Sequence, residues 1–294
     1  PKAIAFYEQA SARDPNYALA YADLANAYVL LPYYTGARRS DALAQAKENA
    51  LKALQLDPNV AEAHVALGKL NFFNMDLAGS MREYQRAIEL KPNYATAHQW
   101  YSLSLLEMGR FAEALAEIKR AQELDPISVI ISNNVANDYL ALGDINSSME
   151  QSKRLIDLDP NYPRGHEALA SAYLKQHRYP EAVAELQKAI NLSPTDSVLQ
   201  RDLGFTYGRS GKRVEAVNIL NQLQALYEKQ EAFGADVAGV YAGLGDKDKA
   251  FEWLEKDYQA RNGRLARIRW NTPFDPLRAD ARYVDLLRRM GLEP

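Results

Sequence analysis

Pro58, Pro92, Pro126, Pro160 and Pro194 stand 34 residues apart four times running. A period of that length restricts the chain to a repeat architecture, in which one supersecondary unit is copied and each copy buries an apolar face against its neighbour. Each proline closes a triplet that begins with leucine: Leu56-Asp57-Pro58, Leu90-Lys91-Pro92, Leu124-Asp125-Pro126, Leu158-Asp159-Pro160 and Leu192-Ser193-Pro194. Proline lacks the N–H and its ring collides with the preceding helical turn, so each triplet reads as a helix break followed by a helix start. Asn59, Asn93 and Asn161, which follow three of the prolines, are expected to cap the next helix.

Small residues mark further registers of the same frame. One runs through Ala25, Gly68, Ser102, Ala136, Ala170, Gly204 and Ala238, and a second through Ala46, Ser80, Ala114, Ser148, Ala182, Ala216 and Ala250. A third runs through Ala53, Ala87, Ala121, Leu155, Ala189 and Leu223. Such side chains let two successive helices approach closely and pair antiparallel across a short turn. Gly109, Gly143, Gly211 and Gly245 recur at that turn, with His177 in their place once, and glycine suits the left-handed conformation that ends a helix. Larger apolar residues fall between these marks at helical spacing, as in Leu169, Tyr173 and Leu174 and again in Leu186 and Ile190.

In three units the first helix carries a Leu, a small residue beside it and a Tyr four after the Leu: Leu24-Ala25-Tyr28, Leu169-Ala170-Tyr173 and Leu203-Gly204-Tyr207. With the glycine turn and the later Ala, Ala and Pro, this resembles the tetratricopeptide repeat over about residues 1–260. The position that the family gives to Trp holds Tyr21, His64, His98, Ser132, His166 and Gln200, and the Tyr position is Asn71 in one unit and Leu105 in another. The resemblance implies an all-α, right-handed α-solenoid over residues 1–261, with a leading helix at 1–14 and about seven hairpins. A capping segment at 262–294 completes it.

Residues 1–14 match only the second helix of a repeat, with Ala3 and Ala10 in its small positions. The chain opens at Pro1 without a Met or a leader and reads as a fragment of a longer product. Pro15 and Pro58 are 43 residues apart, so the first repeat carries nine extra residues, expected as a long loop near 31–40 around Pro32 and Gly36. After residue 261 the frame is expected to lapse. Trp270, Phe274 and the helical run from Asp280 through Leu286, Leu287 and Met290 have the composition of a terminal element that covers the last apolar face. The run from Phe274-Asp275-Pro276-Leu277-Arg278 to Met290-Gly291-Leu292 resembles the ending of repeat regions in multidomain bacterial signalling proteins.

Chemistry-bearing constellations are absent from the sequence. There is no Gly-rich phosphate loop, nucleophile elbow, His-x-x-x-His pair or calcium loop, and no cysteine. His64, His98 and His166 share one repeat position, which makes them one residue per layer of a ladder and not a metal centre. No catalytic residue, metal site or cofactor is expected. The absence of cysteine suits either redox compartment, so the cellular side stays open, with the cytoplasm as the default. With a net charge of -3 no general nucleic-acid binding is expected, and the arginines that give residues 261–294 a charge of +4 read as side chains that lie along a helix and pair with acids. No apolar stretch reaches the length of a membrane span.

A binding surface remains. In the resembled family the first helices line a concave groove. The frame places Lys69, Phe72 and Phe73 there, with Gln99, Leu103, Asn133, Asn134 and Asn137, then Arg164, Glu167, Ser171, Arg201 and Phe205. Three asparagines within five helical positions cost about 0.5 kcal/mol each relative to alanine, which binding to a peptide backbone or hydrogen bonding between repeats would offset. The two-carboxylate clamp of some family members is not reproduced: Asn134 and Arg164 match it, and Gln99, Leu103 and Ala168 do not. The expected function is a protein- or peptide-binding scaffold, the interaction or sensing region of a larger bacterial signalling or regulatory protein. The alternative is a self-assembly module that forms homodimers through the unpaired first helix.

Overall fold

The structure is a computed structural model that describes residues 2–35, 38–260 and 265–292. It comprises two compact units, Pro1–Pro126 and Ile127–Pro294. Among the described residues every regular element is helical. The first unit holds a lone helix α1 (Lys2–Arg13) and three hairpins, α2 (Ala18–Thr35) with α3 (Arg39–Leu56), α4 (Ala61–Phe73) with α5 (Leu77–Leu90), and α6 (Ala95–Glu107) with α7 (Phe111–Leu124). The second holds four: α8 (Val129–Leu142) with α9 (Ile145–Leu158), α10 (Pro163–Lys175) with α11 (Tyr179–Leu192), α12 (Ser197–Arg209) with α13 (Arg213–Glu228), and α14 (Gly234–Leu244) with α15 (Lys247–Gln259). Two 3₁₀ segments, Leu265–Arg269 and Thr272–Leu277, and a last helix α16 (Ala281–Arg289) follow.

The small-residue registers form the seams of the hairpins. Ala25, Ser102, Ala136, Ala170 and Ala238 are fully buried, as is every member of the registers that begin at Ala46 and Ala53. The seam is tightest where glycine stands: a Cβ on Gly68 would lie 2.4 Å from the Tyr84 ring, which is itself fully buried. Between α12 and α14 the backbones touch. A Cβ on Gly243 would meet the carbonyl oxygen of Phe205 at 2.6 Å and its Cα at 2.7 Å, neither of which a rotamer change relieves. Gly243→Ala is therefore expected to destabilise the protein by about 1–3 kcal/mol, the cost of overpacking. A urea midpoint unchanged from the parent chain would show that the two helices are free to part.

The helix breaks follow the prolines but are capped differently from the expectation. Asp57 and Asp159 leave their helices with their N–H groups still bonded to Ala53 and Leu155, and their side chains then accept the backbone N–H of Asn59 and Asn161 at 2.9 and 3.0 Å. The asparagines do not cap the next helix. That helix starts one residue later, at caps Val60, Tyr94 and Tyr162 that offer no side-chain bond, so the asparagine oxygen is out of register with the free N–H groups. The turns adopt the expected left-handed backbone at Gly109, Gly143, Gly211 and Gly245, and His177 (φ 59°) and Met75 (φ 64°) adopt it at the same frame position without glycine's freedom.

Two further expectations are corrected. The nine extra residues of the first repeat do not make a long loop at 31–40: α2 and α3 are each 18 residues long, and Pro32 lies inside the last turn of α2. Gly36 lies outside the described residues. The tail does not leave the frame either, because α16 begins at Ala281, 34 residues after α15 begins at Lys247. Arg282 pairs with Asp248 and Arg289 with Glu255, each across 34 residues, at 2.8 and 2.7 Å. The tail is thus a shortened eighth unit whose first helix is replaced by 3₁₀ turns, as Pro273 and Pro276 require.

Candidate functional site

The inner positions of the first helices fall in two columns of the 34-residue frame. Gln99, Asn133, Glu167 and Arg201 form one; Lys69, Leu103, Asn137, Ser171 and Phe205 form the other. The two units are described separately.

In the first unit, Lys69 is 3% exposed, and its Nζ donates to Oδ1 of Asn26 at 2.9 Å and lies 5.1 Å from the Trp100 ring centre. Asn26 in turn donates to the carbonyls of Ala22 and Glu62. These bonds fasten α2 to α4, so Lys69 serves the hairpin stack and is not presented to a ligand. Burial draws its pKa down to about 7, against the opposing charge of Asp23. Phe72, Phe73 and Trp100 meet edge to face, with centroids 5.6–5.8 Å apart, and remain half-buried, as do Gln99 and Leu103.

In the second unit, Asn133 and Asn137 lie one helical turn apart on α8, half-buried. Neither side chain makes a hydrogen bond among the described residues, and the amide nitrogen of buried Asn134 has no partner there. Ser171, the next member of the Asn137 column, lies half-buried on α10. Arg164 is engaged by Glu167 at 2.5 Å and by Asp196, and these carboxylates, Glu167 foremost, strengthen its hold on its proton. Arg201 is 5% exposed, bonded to Asp202 at 2.7 Å and 3.6 Å from Asp236. Burial opposes its charge, and the two aspartates overcome that opposition. Phe205 is a core residue beside Leu174, Leu186 and Leu203. Of the expected groove residues, then, Lys69, Asn134, Arg201 and Phe205 are buried in the fold, Arg164 and Glu167 pair with each other, and Asn133, Asn137 and Ser171 stay available together.

The structure adds contacts that the sequence did not show. Lys175 on α10 donates to Asp275 at 2.6 Å, and the Phe274 ring lies 5.8 Å from the Arg201 guanidinium. The second 3₁₀ segment therefore rests on the first helices themselves. The histidine ladder also acquires partners. His64, His98 and His166 bond Glu83, Glu117 and Glu185 at 2.6–2.7 Å, and His98 reaches the Pro92 carbonyl at 2.9 Å, which ties each first helix to its second. For His98, burial disfavours the imidazolium, but Glu117 and the Pro92 carbonyl outweigh it and raise the pKa. A glutamate 19 residues after each histidine was the legible signal.

The helical hairpins and their registers define a repeat protein of the α-solenoid class. Residues 74–128 and 163–196 match models of the tetratricopeptide repeat, which supports the assignment of these hairpins to that repeat family. A comparison with curated protein sequences gave no match. Among solved structures, pilF of Pseudomonas aeruginosa is 23% identical, with 69% of this chain and 92% of that one covered at a TM-score of 0.55. TTC0263, a TPR protein of Thermus thermophilus, is 22% identical over 60% of this chain and 94% of that one, at 0.53. A chain of the APC/C hetero-tetramer Cut9-Hcn1 is 16% identical over 98% of this chain and 52% of that one, at 0.65. At these identities the likeness is one of fold alone. No described helix is long and apolar enough to cross a membrane.

Proposed function

We propose that this chain is a docking scaffold that holds an extended peptide of a protein partner on the inner columns of α8 and α10, at Asn133, Asn137 and Ser171. The observation that carries the reading is the unused hydrogen-bonding capacity of Asn133 and Asn137. Bonding between repeats would have used their amides, and it does not, so the helix propensity they forgo is left for a ligand to offset. An asparagine amide offers both a donor and an acceptor, which matches the alternating groups of an extended backbone. The likeness of the tail to the ends of repeat regions in bacterial signalling proteins supports a place in a larger regulator.

The test uses peptides selected by the intact chain from a random library. Asn137→Ala is expected to weaken their binding by about 1–3 kcal/mol and to leave the melting temperature unchanged or raised. A lower melting temperature with unchanged affinity would assign the asparagine to the fold and remove this face. A second reading, self-association through α1, draws on the absence of any buried residue in that helix and on Phe6, which is 68% exposed. Sedimentation over a range of concentrations separates the two, since an assembly module associates without a ligand.

A further inference from the structure

The second 3₁₀ segment packs on α10 and α14 as a short peptide does on a receptor. Its Phe274 is 1% exposed, with the Arg201 guanidinium carbon over its ring at 5.8 Å from the centre. Asp275 is held by the Lys175 ammonium at the rim. Pro273 lies over Gly239, where a Cβ would stand 3.4 Å from the proline and 2.7 Å from the Arg201 side chain. The receptor side has three parts: a guanidinium paired with Asp202 and Asp236 and placed over the aromatic ring; an ammonium; and a glycine floor. The ligand side is a proline, an aromatic, an acid and a proline, a sequence that fixes its own turn. Phe274 N donates to Asn271 O at 3.1 Å, Arg278 N to Asp275 O at 3.3 Å, and Arg278 pairs with Asp275 within the segment. α16 is fastened to α15 through Arg282 and Arg289 and to the first 3₁₀ segment through Tyr283 Oη, which donates to the Ile268 carbonyl, so the contacts of Phe274 and Asp275 with Arg201 and Lys175 are a separate attachment.

We propose that the Arg201–Lys175 surface is a recognition site for short proline–aromatic–acidic–proline segments, filled in the free chain by its own Pro273–Pro276, and that a protein partner carrying such a segment takes the site over in trans. The proposal rests on the reading of the second unit's first helices as a peptide-binding face, but it uses none of the residues by which that reading is tested. A tethered segment competes at an effective concentration in the millimolar range, so a free peptide reaches the site well only when the resident one is weakened.

The probe is a fluorescent peptide with the sequence of Trp270–Arg278, titrated into full-length protein. Phe274→Ala empties the pocket and is expected to bind it at least about tenfold more tightly than the intact chain, the peptide supplying the missing ring. Asp275→Ala removes two part-exposed ion pairs, with Lys175 and Arg278, and leaves the buried ring in place, so a gain of about two- to fivefold is expected. Adding Lys175→Ala to either variant should lower the affinity, and a peptide with alanine at the aromatic position should not bind. Asn137→Ala should leave all of this unchanged, so a failure of the asparagine face and a failure of this site are distinguishable. Equal binding by the intact and variant chains, or indifference to Lys175→Ala, overturns the proposal. Amide exchange on the intact chain tests it without a variant: the N–H groups of Phe274 and Arg278 are expected to exchange by local release, and exchange only with global unfolding would make the segment a fixed part of the core.

Discussion

Replacing Arg201 with leucine is expected to cost about 3–5 kcal/mol at neutral pH, because it strands two carboxylates in the interior of the second unit. Asp202 and Asp236 are 3% and 2% exposed, and their guanidinium partner is one buried side chain. Asp236 retains bonds from Ser197 Oγ at 2.8 Å and Phe233 N at 3.1 Å, so most of the loss falls on Asp202. Burial already holds the Asp202 carboxyl above the usual carboxylate range, with Arg201 and Arg164 pulling the other way. A carboxyl whose folded pKa is raised contributes stability that is present at acid pH and lost as pH rises through the folded value. The deficit of Arg201→Leu should therefore be larger at pH 8 than at pH 5. Combining it with Asp202→Asn should recover much of the loss, since the uncompensated charge is then gone. Urea unfolding of the single and double variants at the two pH values measures all of this; a single-variant cost below about 1 kcal/mol would mean that water reaches the pair.

Lys69→Met is expected to act in the opposite direction and to change the pH dependence of the first unit. The Lys69 ammonium is drawn down to about 7 by burial, with Asp23 opposing. In the unfolded chain a lysine titrates near 10.4. Between these values the unfolded chain holds a proton that the folded chain has released, so stability rises with pH across the window, by up to about 1.4 kcal/mol per pH unit. The methionine variant should lose that slope. Below pH 7 it should be the more stable protein by about 1–4 kcal/mol, as when a buried charge gives way to an apolar side chain of similar volume. The bond to Asn26 is lost in the exchange, which offsets part of the gain. Parallel stability profiles for the two proteins from pH 6 to 10 would show that Lys69 is solvated in the folded state.

These two residues show where the sequence stopped being readable. Both were assigned to a ligand groove on frame position alone, and both face inward, as the frame requires. Whether an inward-facing side chain is free depends on what stands opposite it. For Lys69 that is Asn26, 43 residues earlier; for Arg201 it is Asp236 and the Phe274 ring, from segments outside its own hairpin. Asn133 and Asn137 carry the same frame signal and have no such partner among the described residues, a difference that nothing within α8 records. The tail was misread for a related reason. Its two prolines abolish the apolar periodicity of a first helix, which hides the fact that α16 keeps the 34-residue step through Asp248–Arg282 and Glu255–Arg289.

By itself the sequence determined the features that hard local rules enforce. Proline ends a helix, a left-handed turn selects glycine at four of its sites, and a seam without room admits only small side chains, so the hairpins and their registers were legible residue by residue. Tertiary structure alone decided which polar side chains the fold consumes. Lys175 and Asp275 meet across 100 residues, and such a pairing depends on where folded segments lie in space, a relation that no local spacing along the chain encodes.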